Sequence, residues 1–132
     1  MAADPTGKSG VRTRALALGG LLLGTGTLHF VIPKFFDGLI PPELPGEPRT
    51  YTQVSGVAEL TAGTLLLVPR TRSLGARLAV LIFLAVFPGN LQMLRVWWPS
   101  DMPMVMKLGA VLRLPLQIPM VTTARRVYRD AR

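Results

Sequence analysis

Four apolar blocks, approximately residues 15–32, 51–69, 74–98 and 103–124, dominate this chain. Each is close to the roughly 20 residues an α-helix needs to cross the hydrocarbon core of a bilayer. Amphipathic helices of a soluble domain repeat charges along one face at every turn. These blocks do not, although the last carries Lys107 and Arg113. With 132 residues, 49% of them hydrophobic, the chain has the length of one domain and more apolar side chains than a soluble domain of that size needs. The expected fold is therefore all-α: a single domain over residues 1–132 built as a four-transmembrane-helix bundle.

The position of the charges sets the expected topology more than the net value of +8 does. Lys8, Arg12 and Arg14 precede the first block, Arg70, Arg72 and Arg77 mark the second connection, and Arg125, Arg126, Arg129 and Arg132 follow the last block. The positive-inside rule makes these three groups cytoplasmic, and both termini with them. On the opposite side, Lys34, Arg49 and Arg95 nearly balance Asp37, Glu43, Glu47 and Asp101. Cations scattered beside membrane spans, without an aromatic platform, argue against nucleic acid as a partner. The partners expected are the lipid bilayer and another membrane protein or a second copy of the chain. The basic start followed by "ALALGGLLLGTGTLHFVI" imitates a signal peptide, but the run is long and lacks a small-x-small cleavage site, so it reads as a retained first helix. Arg outnumbers Lys by 12 to 3 and Ala, Gly and Pro are common, which fits a high-GC bacterial genome and hence a bacterial inner (plasma) membrane.

The segment "PKFFDGLIPPELPGEPRT", residues 33–50, is the longest external loop. Its prolines and its Phe35, Phe36, Leu39 and Ile40 suit a loop or short helix lying across the outer end of the bundle, as an interfacial anchor or as a lid. Counting about 1.5 Å per residue from that side places Glu59, Asn90 and Arg113 at similar depths of roughly 12–15 Å, with His29 shallower. Ser55, Glu59 and Gly63 recur every four residues on one helix face, as do Gly109, Arg113 and Gln117. Gly20 and Gly24 have the spacing of a close-packing face. A charged side chain facing lipid costs several kcal/mol, so Glu59 and Arg113 should turn inward, where each is the expected partner of the other.

Two readings of this polar cluster in the outer half of the bundle stand side by side. The Glu59 and Arg113 pair, supplemented by His29, Asn90 and Gln117, can simply fix helix order and register, or the same groups can hold a ligand or a proton. Pro88 in "FPGN" and Pro115 in "RLPLQ" release the carbonyls of Leu84 and Val111, which either line a cavity or mark kinks. Trp97 and Trp98 read as an interfacial belt. No Cys is present, which removes disulfides, thiol catalysis and thiolate metal sites. One His with one Glu is too sparse for a metal centre, and no metal is expected.

The pieces "LHFVIPKFF" (28–36), "IPPELP" (40–45), "SGVAEL" (55–60), "LLLVPRTR" (65–72), "VFPGN" (86–90) and "RLPLQ" (113–117) follow one another across the four blocks. In that succession the chain resembles the DoxX-like family of small membrane proteins, with Gly89 where the pattern has Ala. The resemblance implies a four-helix membrane bundle, a link to subunits of a quinone-dependent oxidoreductase, and attention to His29, Glu59, Asn90, Arg113 and Gln117. Quinone is the one cofactor it suggests. Because no self-sufficient catalytic constellation is present, the function expected first is that of an accessory or assembly subunit of a larger membrane complex. A quinone-linked redox subunit with a quinone or proton site around Glu59 is the alternative, and a proton or small-molecule transporter is a further one.

Overall fold

The computed structural model describes residues 7–132. Among them there are helices and no strands: α1 (Lys8–Val31), α2 (Pro33–Asp37), α3 (Pro48–Leu67), α4 (Arg72–Ala85), α5 (Phe87–Trp97) and α6 (Met104–Asp130). α1 packs along α3, α3 along α4, α4 along α6, and α6 returns to α1, so four rods close into a ring with α5 continuing the α4 rod. α1, the α4 and α5 rod, and α6 are each long and apolar enough to cross a membrane. α3 spans 20 residues, but Arg49, Thr50, Thr52, Gln53 and Ser55 crowd its first half and Glu59 lies just past its middle.

The expected third block is one rod with a joint. Helical hydrogen bonding runs to Val86, whose amide donates to the Ile82 carbonyl, and a new helix starts with Pro88 in its first turn, where a missing N–H is tolerated. In α6, by contrast, Pro115 and Pro119 both lie inside one continuous helix. Each removes a donor from the carbonyl four residues earlier, Val111 and Pro115 respectively.

The α3–α4 turn explains a residue whose charge alone had counted in the sequence. Pro69 ends α3 and leaves its last carbonyls without helical donors. Arg72 is buried and donates from Nε to Leu66 O at 2.9 Å and from Nη2 to Leu67 O at 3.2 Å, while the Thr71 hydroxyl donates to Leu65 O at 2.9 Å. Arg72 is a helix cap, favoured further by the negative end of the helix dipole.

Close approach of α1 and α3 depends on glycines other than the expected pair. A Cβ built on Gly63 would come within 2.9 Å of Gly19 O, and one on Gly26 within 3.1 Å of Glu59 Cβ. Gly20 and Gly24 meet nothing within 4 Å, so the close-packing face that they form by spacing is not used between helices of this chain. Their spacing is right for packing, but their side of α1 points away from its neighbours.

Buried side chains segregate along the bundle. Towards the end that carries the chain termini, Ala15, Leu18, Leu22, Ala62, Leu66, Ala76, Ala79, Ile82, Phe83, Ala124 and Val127 form one apolar cluster. Towards the other end the buried side chains are polar: His29, Thr52, Glu59, Asn90, Gln92 and Gln117. That end is crossed by a strap, residues 32–47, which includes α2.

Candidate functional site: a carboxylate and an imidazole under an aromatic cover

Glu59 in the middle of α3 and His29 near the end of α1 face each other across the helix contact that Gly26 permits. His29 Nδ1 lies 3.0 Å from Glu59 Oε2 and 2.7 Å from the carbonyl oxygen of Thr25, one turn earlier in its own helix. A carbonyl only accepts, so Nδ1 carries the proton and donates it to Thr25. The Nε2 atom is then an acceptor in the neutral ring and a second donor in the charged one. Glu59 Oε2 sits at ion-pair distance from the imidazole but has no aligned hydrogen bond, and it is buried.

The strap closes this pair off. The Phe36 ring stacks on the His29 imidazole, with centroids 3.8 Å apart and an interplanar angle of 19°. Phe35 meets Phe36 edge-on at 5.2 Å and Trp97 of α5 at 6.0 Å, so an aromatic row runs from α1 to α5. Of the two expectations for this segment, interfacial anchor or lid, the stacking of Phe36 on His29 agrees with the second. Polar ties hold the strap down: Asp37 accepts from the Thr52 hydroxyl at 2.6 Å and from Arg49 Nε at 2.9 Å. Glu43 accepts from Arg95 Nη1 of α5 at 2.6 Å, and Tyr51 donates to Pro45 O at 2.6 Å. The Thr52 hydroxyl, followed by the Arg49 guanidinium, holds the Asp37 carboxyl below the usual carboxylate range. Arg95 lowers that of Glu43 in the same way, helped by Glu43's own backbone amide.

Asn90 and Gln117, both expected at the site, also meet. Asn90 Nδ2 donates to Gln117 Oε1 at 3.1 Å, joining α5 to α6 inside the bundle, while Gln117 Nε2 is buried without a hydrogen-bond partner. Arg113 departs from expectation. Its guanidinium is half-buried and makes its side-chain contact from Nη1 to Met120 Sδ at 3.2 Å. The direct Glu59 and Arg113 pair is therefore replaced by Glu59 with His29. The reason is placement: α3 and α6 lie on a diagonal of the ring, whereas α1 and α3 are adjacent.

The remaining expected positions divide. Gly63 packs against α1, and Ser55 is half-buried on α3. Pro88 and Pro115 are exposed, and Gly109 has open space where a Cβ would be. Missed by the sequence reading were Phe36 as the cover over His29, Gly19 and Gly26 as contact glycines, and Gln92, buried beside Arg95 with Nη1 3.4 Å from its Oε1. The seven-residue spacing of Gly19 with Gly26, and of Gly56 with Gly63, was the available signal.

A family model described as a domain of unknown function, DUF8561, matches residues 18–128. The chain belongs to the DUF8561 family. Comparison with curated proteins and with solved structures gives no match. The part shared with DUF8561 contains the whole polar centre, His29, Phe36, Glu59, Asn90, Arg113 and Gln117, together with the strap. Lys8 and Arg12 at one end of the chain, and Arg129 to Arg132 at the other, lie outside it.

Proposed function

We propose that this DUF8561 protein is a four-span bacterial plasma-membrane protein, both termini cytoplasmic, whose strap-covered interior binds a small ligand or a proton at Glu59 and His29. Support for the fourth span comes from α3 lying in the ring between α1 and α4, with Thr52 and Glu59 turned inward. The topology follows the clustering of cations at the end with the termini. One observation carries the functional reading. Glu59 Oε2 is a buried acceptor without an aligned hydrogen bond, 3.0 Å from an imidazole that can change its charge and beneath the strap whose Phe36 stacks on that imidazole. A purely architectural pair would be expected to satisfy its buried oxygens, since each one left unmatched costs about 1–3 kcal/mol.

The DoxX-like resemblance suggests quinone as the ligand, and the residues fit that chemistry. Imidazole and guanidinium can donate to quinone carbonyl oxygens, and a carboxyl can pass a proton. Electrons must come from a partner subunit, because this chain carries no redox group of its own. The test is mild detergent extraction of wild-type protein and Glu59→Gln, followed by solvent extraction and identification of bound quinone. Bound quinone in the wild type that disappears in the variant supports the proposal. Wild-type protein free of quinone would remove the quinone assignment.

A second reading, an accessory or assembly subunit, is favoured by α6. Of its 27 residues only Ala110, Gln117, Ala124 and Val127 are buried, yet it carries Lys107 and Arg113 through an apolar stretch. Cations within a span are normally turned toward protein or water, so this flank suits a partner helix. Native mass spectrometry after gentle extraction distinguishes a larger assembly from a lone chain.

A further inference from the structure

The end of the bundle opposite the strap gathers ten cations among the described residues against a single acid. α1 contributes Lys8, Arg12 and Arg14, the α3–α4 turn and α4 contribute Arg70, Arg72 and Arg77, and the end of α6 contributes Arg125, Arg126, Arg129 and Arg132. The acid, Asp130, is already shared: Arg129 Nε lies 2.9 Å from its Oδ1 and Arg14 Nη1 3.9 Å from its Oδ2. That Arg14 contact also fixes the start of α1 beside the end of α6. Arg72 is spent on the α3 carbonyls. Lys8, Arg12, Arg125 and Arg126 are exposed and, among the described residues, reach no carboxylate within ion-pair distance. They stand on two adjacent helices at the level where the apolar surface of the bundle gives way to charge. Along α1 the change is sharp, since Lys8, Ser9, Arg12 and Thr13 are followed on the same side by Leu16.

We propose that this end binds anionic phospholipid, with headgroup phosphates between Lys8 and Arg12 of α1 and Arg125 and Arg126 of α6, and acyl chains along the apolar flank that begins at Leu16. The geometry favours lipid over an acidic protein because the four cations lie on two adjacent helices at the boundary of the apolar surface, next to exposed Leu16. A basic residue close to a membrane surface strengthens attraction to anionic lipid by about five-fold. Four of them acting at one site produce a large preference over zwitterionic lipid. This inference is independent of the reading of the Glu59 site.

The test is native mass spectrometry of the full-length protein released from nanodiscs of equal phosphatidylglycerol and phosphatidylcholine, counting the lipids retained. Wild-type protein is expected to retain phosphatidylglycerol at least ten-fold over phosphatidylcholine. Lys8→Gln/Arg12→Gln and Arg125→Gln/Arg126→Gln should each reduce that preference, and the four together should bring it near parity. Lys34→Gln/Arg95→Gln, at the strap end, should leave it unchanged. Equal retention of both lipids by the wild type, an unchanged preference in the fourfold variant, or an equal loss in the strap-end variant would each overturn the proposal.

Discussion

Gly19 and Gly63 close on each other across the α1–α3 contact: a Cβ on either would meet the other's carbonyl oxygen, at 3.1 Å from Gly19 and 2.9 Å from Gly63. Backbone cannot move aside as a side-chain tip can. Gly63→Ala is therefore expected to push the helices apart and destabilise the protein by about 1–3 kcal/mol. Gly20→Ala and Gly24→Ala, with open space at the Cβ position, should be neutral or slightly stabilising. Thermal unfolding of the four proteins in one detergent checks this, and equal midpoints would contradict it.

The Glu59 and His29 pair responds differently to single and double replacement. Glu59→Ala removes one partner of a buried pair and should cost about 3 kcal/mol or more. Glu59→Leu/His29→Leu removes both, and is expected to be less destabilising than Glu59→Leu or His29→Leu alone. A double-mutant cycle on unfolding midpoints measures the coupling. The same double variant should bind no ligand even when fully folded, which separates the chemical role of the pair from its architectural one.

Acid should loosen the strap. Asp37 and Glu43 both have folded-state pKa values below the ordinary carboxylate range, so the stabilisation they supply is complete above that range. It is lost as the pH falls through the lowered values, below about 4. Amide hydrogen exchange in residues 38–47 should thus show constant protection between pH 7 and pH 5 and loss only at stronger acidity. Asp37→Asn should loosen the same segment at neutral pH. Protection that fades near pH 6 would point to a different titrating group.

Arg72 offers a test at the other end. Arg72→Ala leaves two carbonyls of α3 without their donor and should cost about 2 kcal/mol. Arg72→Lys should recover only part of this, since an ammonium does not reproduce the guanidinium fork that reaches Leu66 and Leu67 together. Arg70→Ala and Arg77→Ala, on exposed positions, should stay within about 0.5 kcal/mol of wild type.

Much of the architecture was legible because hydrocarbon imposes length. Helix positions agreed with the apolar blocks, although α1 begins at Lys8 and α6 continues to Asp130, since charged residues extend helices beyond the apolar stretch. Depth counting set Asn90 level with Arg113, whereas Asn90 meets Gln117, one turn further along the same face of α6. It failed for Arg113, because matching height says nothing about which rods are neighbours in the ring. Phe36 was left between anchor and lid for a related reason. Aromatic residues near a span end look alike in sequence whether they face lipid or fold back over a buried ring. Arg72 was counted as a topological charge, and only the geometry of the turn reveals its hydrogen bonds.

The segregation of buried side chains gives the bundle a floor. Below the Glu59 level the rods are sealed by Leu22, Leu66, Ala79 and Phe83, while above it α5, set off from α4 by the break at Val86, is fastened to the strap through Glu43 and Trp97. The polar centre is thus packed shut on the side of the termini and covered by the strap on the other. Under the proposed reading, a ligand of Glu59 would enter and leave past the strap, so exchange with one face of the membrane, rather than passage between the two, is the work that follows from this arrangement.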